Sequence, residues 1–168
     1  MWQHMFVFLW CVLSWAHTST QNAWEWAKKV VNTDELNNKL LLAKENDDKT
    51  PLYLTSFIGT IQTLERIWKW AKEQLSPEEL NKLLLTRDNL RKTAWNVATK
   101  RVKVEVLDKL WEWAKKLLNT DKLNNKLLLA KDDEENAILH NTLFTINVKI
   151  LERLWKWAKE QLTPEVTI

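Results

Sequence analysis

The chain has 168 residues, 25 Lys and Arg against 22 Asp and Glu, a net charge of +3 and one Gly. So balanced a charge lacks the basic stripe that nucleic-acid binding needs. A single Gly excludes a Gly-rich phosphate loop and disfavours a sheet with many tight turns, which leaves an all-α chain. One Cys, Cys11, excludes an intrachain disulfide framework and a Cys-based zinc site.

Residues 5–13 form a short apolar run. Ser14-Trp15-Ala16 follows, with small residues at the two positions a signal peptidase reads, which fits a secretory signal peptide removed after residue 16. The run is shorter than the roughly 20 apolar residues a helix needs to cross a bilayer, so no stable transmembrane span is expected. Against secretion, residues 1–4 carry no Lys or Arg and the chain has no Asn-x-Ser/Thr sequon. Two readings stand. Residues 1–16 are a signal peptide of a secreted protein, or they are a divergent first helix of an intracellular, cytoplasmic one.

One phrase then occurs four times. It reads Trp24-Glu25-Trp26-Ala27-Lys28, Trp68-Lys69-Trp70-Ala71-Lys72, Trp111-Glu112-Trp113-Ala114-Lys115 and Trp155-Lys156-Trp157-Ala158-Lys159. The first Trp recurs at steps of 44, 43 and 44 residues, the signature of a repeat array. The phrase sits in a helix. Leu64, Ile67, Trp68, Ala71 and Leu75 follow the spacing of one helical face. Trp70 lies about 200° around from Trp68 and widens the apolar arc enough to touch neighbours on two sides. Glu65/Lys69, Glu112/Lys116 and Glu152/Lys156 are spaced to pair one turn apart.

A short helix follows each phrase. Ser76-Pro77-Glu78-Glu79 supplies a cap, a Pro at the first helical position and a Glu at the third. Asn119-Thr-Asp-Lys122 keeps the cap and puts Lys in place of the Glu. The body reads Leu36-Asn-Asn-Lys-Leu-Leu-Leu42, Leu80-Asn-Lys-Leu-Leu-Leu85 and Leu123-Asn-Asn-Lys-Leu-Leu-Leu129. The middle copy lacks one Asn, which predicts that Leu80 is rotated about 100° relative to the three Leu that follow it.

Before each Trp helix stands a third block. The first copy is Thr50-Pro51-Leu52-Tyr53-Leu54-Thr55-Ser56-Phe57-Ile58-Gly59; Thr93-Ala94-Trp95-Asn96-Val97-Ala98 and Ala137-Ile138-Leu139-His140-Asn141-Thr142 are the others. The first copy resembles the ankyrin repeat, whose pattern begins Thr-Pro-Leu-His-x-Ala-Ala-x-x-Gly. The period departs from the family's, which is about 33 residues, and the later copies are degenerate. The resemblance covers residues 44–168. It implies a repeat solenoid of stacked helix-turn-helix units, here with an additional short helix between units. The units divide as 1–16, a partial repeat 17–48, repeats 49–91 and 92–135, and a truncated repeat 136–168. It also implies that Gly59 closes its helix in a left-handed conformation, and that His140 braces the turn beside it.

Stacking buries what no unit can bury alone. The expected core is Leu52, Leu54, Leu64, Ile67, Trp68, Trp95, Val97, Leu107, Leu110, Trp111, Ile138, Leu139, Leu151, Leu154 and Trp155. Residues 163–168 begin a short helix and stop, so the array end is expected to be uncapped and open to self-association.

Chemistry is sparse. His4, His17 and His140 have no second ligand at helical spacing, so no metal, cofactor or catalytic site is expected. The acidic pairs Asp47-Asp48, Asp132-Asp133 and Glu134-Glu135 are expected to be solvated at exposed turns. Lys100, Arg101 and Lys103 form a basic spot. The resemblance implies a non-enzymatic scaffold that binds another protein through its finger tips and the exposed side of the first helix of each unit. Carried over, the tips are Asp47, Asp48 and Lys49; Leu90, Arg91 and Lys92; and Glu134, Glu135 and Asn136. The helix positions are Phe57 and Ile58, Lys100 and Arg101, and Phe144 and Thr145. Two alternatives remain: a secreted or surface-acting effector with an extracellular target, and a marginally folded fragment of a longer repeat protein.

Overall fold

The computed structural model describes residues 40–45, 47–101, 103–145 and 147–162, with backbone only at 144 and 145. Residues 1–16, with His4 and Cys11, lie outside the described residues, as do His17 and the first Trp phrase. The described elements are α1 Pro51–Phe57, α2 Ile61–Gln74, α3 Pro77–Leu85, α4 Ala94–Lys100, α5 Val104–Leu117, α6 Thr120–Lys122, a π-helical stretch Leu123–Leu128, α7 Ile138–Thr145 and α8 Val148–Leu162. Among the described residues there is no strand, only one isolated bridge between Arg87 and Thr93. The fold is all-α.

Side chains start most of these helices. The Thr50 hydroxyl accepts from the Tyr53 N–H, with Pro51 in the first turn, and Thr60 does the same for Thr63. Ser76 and Glu79 form a reciprocal capping box, and so do Thr93 and Asn96. Asn119 accepts from the Lys122 N–H, and Asn147 from Ile150. Each such cap is worth about 1 kcal/mol. Gly59 departs from expectation, since no Gly has a positive φ. The chain passes from α1 directly to the Thr60 cap, and what requires Gly is closeness: a Cβ there would lie 2.7 Å from the Thr55 carbonyl oxygen.

The Asn count decides the geometry of the third element. With one Asn, Leu80-Asn-Lys-Leu-Leu-Leu85 continues as α-helix. With two, residues 123–128 widen into π-helix, and residues 40 and 41 of the first copy are π-helical as well. The widened turn absorbs the additional residue. Leu80, Leu83 and Leu84 are therefore buried just as Leu123, Leu127 and Leu128 are, and Leu80 is not turned away as expected.

The short helices pack side by side, α1 on α4 and α4 on α7. Each also packs on the long helix that follows it, α1 on α2, α4 on α5 and α7 on α8. Both α2 and α3 reach α5, and the π-helical stretch reaches α7 and α8. The phrase makes the long-helix contacts. Trp68 stacks on Trp113 with centroids 4.4 Å apart and planes 7° from parallel, and Trp111 stacks on Trp157 at 4.8 Å. The first Trp of one phrase thus meets the second Trp of the next. Trp95 closes on Trp111 and Trp157 at 5.4 and 5.5 Å. Aromatic pairs of this kind add about 0.5–1.5 kcal/mol each beyond the area they bury.

Most of the expected core is buried, from Leu52, Leu64 and Leu107 at 0% exposure to Trp111 at 5%. Leu54, Leu139 and Leu151 are only half-buried. Trp155 is a correction: it is 58% exposed, because no described element covers the side of α8 that it occupies. The ion pairs also differ in part. Glu112 pairs with Lys116 as expected, but Lys69 and Lys156 turn to Glu73 and Glu160, and Glu65 reaches Lys109 on the next long helix.

Candidate interaction surface

Three tight turns precede the short helices, and each contains one residue in the left-handed region: Asp48, Arg91 and Glu135, at φ near 60°. For non-Gly residues that conformation costs roughly 1–2 kcal/mol, and main-chain bonds offset it. In each turn the N–H of the left-handed residue donates to the carbonyl three residues back: Asp48 to Glu45, Arg91 to Asp88 and Glu135 to Asp132. The turn closes with the reverse bond, from Glu45 to the Lys49 carbonyl, Asp88 to Lys92 and Asp132 to Asn136. The turns are also tied to each other. The Asn89 N–H donates to the Asp47 carbonyl at 3.0 Å and the Asp133 N–H to the Leu90 carbonyl at 3.3 Å.

Two buried carboxylates hold this row. Asp88 Oδ1 accepts from the Leu90 and Lys92 N–H groups, and its Oδ2 accepts from the Tyr53 hydroxyl at 2.6 Å. Asp132 Oδ1 accepts from Glu134 and Asn136, and its Oδ2 from the Asn141 amide. Asp132 is 1% exposed, which corrects the expectation that it is solvated; Asp133 beside it is exposed. Burial works against the charged form of Asp132, but the bonds from Asn141, Asn136 and Glu134, with Lys92 nearby, outweigh it and hold the carboxyl below its usual range. Burial, then the bond to Asp88, pushes the Tyr53 hydroxyl well above its ordinary value, so it stays a donor.

His140 does not take the bracing role. It is exposed, and its neighbour Asn141 makes the bond to Asp132. Tyr53, at the equivalent place in the first unit, reaches forward to the next turn through Asp88. No described turn lies forward of α7 for His140 to meet.

Between the first two turns and α1 and α4 lies an open groove of about 450 Å³. It gathers Asp47, Lys49, Phe57, Leu90, Lys92, Lys100 and Arg101 of the residues singled out in the sequence. Tyr53, Asp88, Asn89 and Val97 also line it and were missed. Tyr53 fills the pattern's His place, which was the available signal for it. Arg101 lies over the Phe57 ring at 4.0 Å, a contact worth about 0.5–1 kcal/mol. Lys49 bridges Asp47 at 2.6 Å and Glu45 at 3.3 Å, and the Asp47 bond in particular raises its pKa. Leu90 and Arg101 are exposed on the rim.

The remaining tip residues stand apart from the groove. Asp48 and Ile58 are exposed, and Arg91 pairs with Glu135 at 3.7 Å across neighbouring turns. Glu134 meets Lys92 of the groove at 3.9 Å, and Asn136 closes its own turn. The side chains of Phe144 and Thr145 lie outside the described residues. Lys103 leaves the basic spot: its ammonium donates to the Gly59 carbonyl, and burial, with Arg101 close by, lowers its pKa.

Among the described residues no helix is long and apolar enough to cross a membrane. Nor is any group of three or more His, Cys, Asp or Glu among them placed to hold a metal. No protein-family model and no curated protein matches the chain.

Proposed function

We propose that the protein is a non-enzymatic binding scaffold, an ankyrin-like solenoid that holds another protein in the groove between its finger turns and short helices. The observation that carries this reading is the convergence in that groove of seven residues chosen from the sequence, drawn from two units 43 residues apart. The left-handed turn residues recur at the same interval, 43 between Asp48 and Arg91 and 44 between Arg91 and Glu135, which supports one unit geometry used three times. The groove mixes an apolar floor at Tyr53, Phe57 and Val97 with a rim of both charges, the composition of a protein-binding patch. Hydrogen-bonded turns and stacked helices pre-order these side chains, so little is lost in fixing them when a partner arrives.

Selection of a displayed peptide library against the protein tests the reading. Enriched ligands are expected to bind at least about tenfold more weakly to a Leu90→Asp, Arg101→Glu variant, a loss of about 1.4 kcal/mol. Both substitutions are on the rim, and the variant keeps its helical spectrum. Ligands that bind both proteins equally would sink the reading.

A further inference from the structure

The groove between the first two turns and the short helices is uneven in charge. The turns lie at the N-terminal ends of α1 and α4, and Phe57, Lys100 and Arg101 lie at the C-terminal ends. At the turn end the charged groups have partners. Asp47 and Glu45 share Lys49, at 2.6 and 3.3 Å. Asp88 is buried and accepts from the Tyr53 hydroxyl and from the Leu90 and Lys92 N–H groups. The Lys92 ammonium lies 4.0 Å from Asp132 and 3.9 Å from Glu134. The other end has no such balance. Lys100 and Arg101 are both exposed, and among the described residues no carboxylate pairs with either. The Arg101 guanidinium instead lies over the Phe57 ring, 4.0 Å from its centre. Burial, and then the nearness of Arg101, lowers the Lys103 pKa, so the positive field at this end is felt by its neighbours.

We infer that this end of the groove captures an acidic side chain, Asp or Glu, of an extended peptide segment, and that an apolar residue of the same segment lies on Leu90 at the turn end. The inference rests on the reading of the groove as a protein-binding surface and names the chemistry of what it binds. A guanidinium presents paired N–H donors that fit both oxygens of a carboxylate. Phe57 already holds this one in place, so little side-chain freedom is left to lose on binding. Lys100, the preceding residue, adds a second positive charge. The C-terminal end of α4 carries partial negative charge, which opposes a doubly charged phosphate more than a single carboxylate. Leu90 is 49% exposed and lies beyond the N-terminus of α4. That helix has 7 residues, which at about 1.5 Å each put Leu90 more than about 10 Å from Arg101. An extended chain covers this in about three or four residues. The recognised element is therefore an acid about three or four positions from a large apolar residue.

Random linear peptides, displayed and selected on the full wild-type chain and then synthesised singly, test this. Those weakened by the Leu90→Asp, Arg101→Glu variant are the groove ligands. They are expected to carry the acid and the apolar residue at this spacing. Replacing the acid by its amide is expected to weaken binding at least about tenfold, and Arg101→Gln to do the same. The two losses are expected not to add, because each removes the same pair. Exchanging the acid for Arg is expected to restore binding to an Arg101→Glu variant. Leu90→Ala is expected to cost at least about threefold. Leu90 and Arg101 are exposed, so the helical spectrum of each variant is expected to be unchanged. Groove ligands that carry no acid, or whose affinity ignores Arg101→Gln or Leu90→Ala, overturn this inference and leave the binding reading standing. A selection that yields no groove ligand overturns both. Random-sequence single-stranded RNA that binds more tightly than every such peptide, and is lost on Arg101→Gln, assigns the cations to phosphate and overturns the inference as well.

Discussion

Two stretches of the molecule have nearly the same sequence and different environments. Residues 64–75 of the first long helix and residues 151–162 of the last differ at one place in twelve, Ile67 against Leu154. Yet Leu64 is 0% exposed and Leu151 half-buried, Trp68 is 4% exposed and Trp155 58%, Leu75 7% and Leu162 40%. Both stretches form the same helix with the same apolar arc. What differs is whether another long helix lies on the second half of that arc. Local sequence therefore sets the helix and its faces, and position in the row sets how much of each face is buried.

Substitutions at matched sites sharpen or break this contrast. The largest difference is expected at the first Trp. Trp68→Ala should cost about 3–5 kcal/mol in urea unfolding, as for other buried aromatics, whereas Trp155→Ala should cost under about 1 kcal/mol in dilute, monomeric protein. Equal losses would mean that both faces of α8 are covered. Leu75→Ala should follow at about 2–3 kcal/mol against under about 0.5 for Leu162→Ala. A third contrast lies within one turn. Asp132→Ala removes the acceptor of three part-buried hydrogen bonds and should cost about 2–3 kcal/mol, while Asp133→Ala should stay within about 0.5.

Acid unfolding checks the same carboxylate. Because the folded state holds Asp132 below its unfolded pKa of about 3.9, its contribution is full above that pH and is lost as the pH falls through the folded value. Asp132→Asn should therefore be less stable at neutral pH and lose stability less steeply in acid than the wild type. The smallest effect is expected from the third element. Deleting exposed Asn125 should turn the π-helical stretch into α-helix and change stability by under about 1 kcal/mol, measured by thermal unfolding.

The helices, their caps and most of the core were legible because they depend on neighbours in sequence. Ser76 with Glu79 and Asn119 with Lys122 are local contacts, and the Trp helix has its periodicity written out. The exposure of Trp155 was not legible, since the residues around it match those around Trp68. Asp132 was misread for a related reason: beside Asp133 it looks like half of a solvated pair, and only the fold brings Asn141 and Lys92 to it. The groove was legible in part. Seven of its lining residues had been singled out from the sequence, but Tyr53 and Asp88 meet across 35 residues, a distance that periodicity does not reach. The π-helix shows a different limit. An additional Asn can rotate everything beyond it or be swallowed by one wide turn, and burial of the same Leu residues in both copies selects the second.

The bonds that join the turns run from main chain to main chain, Asn89 to Asp47 and Asp133 to Leu90. They are blind to side-chain identity. The tips can therefore drift in composition, as from Asp47-Asp48 to Leu90-Arg91 to Glu134-Glu135, while the register between units is kept. Side chains at the tips can change without altering how the turns are held, whereas exchanging the buried Asp88 or Asp132 carboxylate removes the bonds that close each turn.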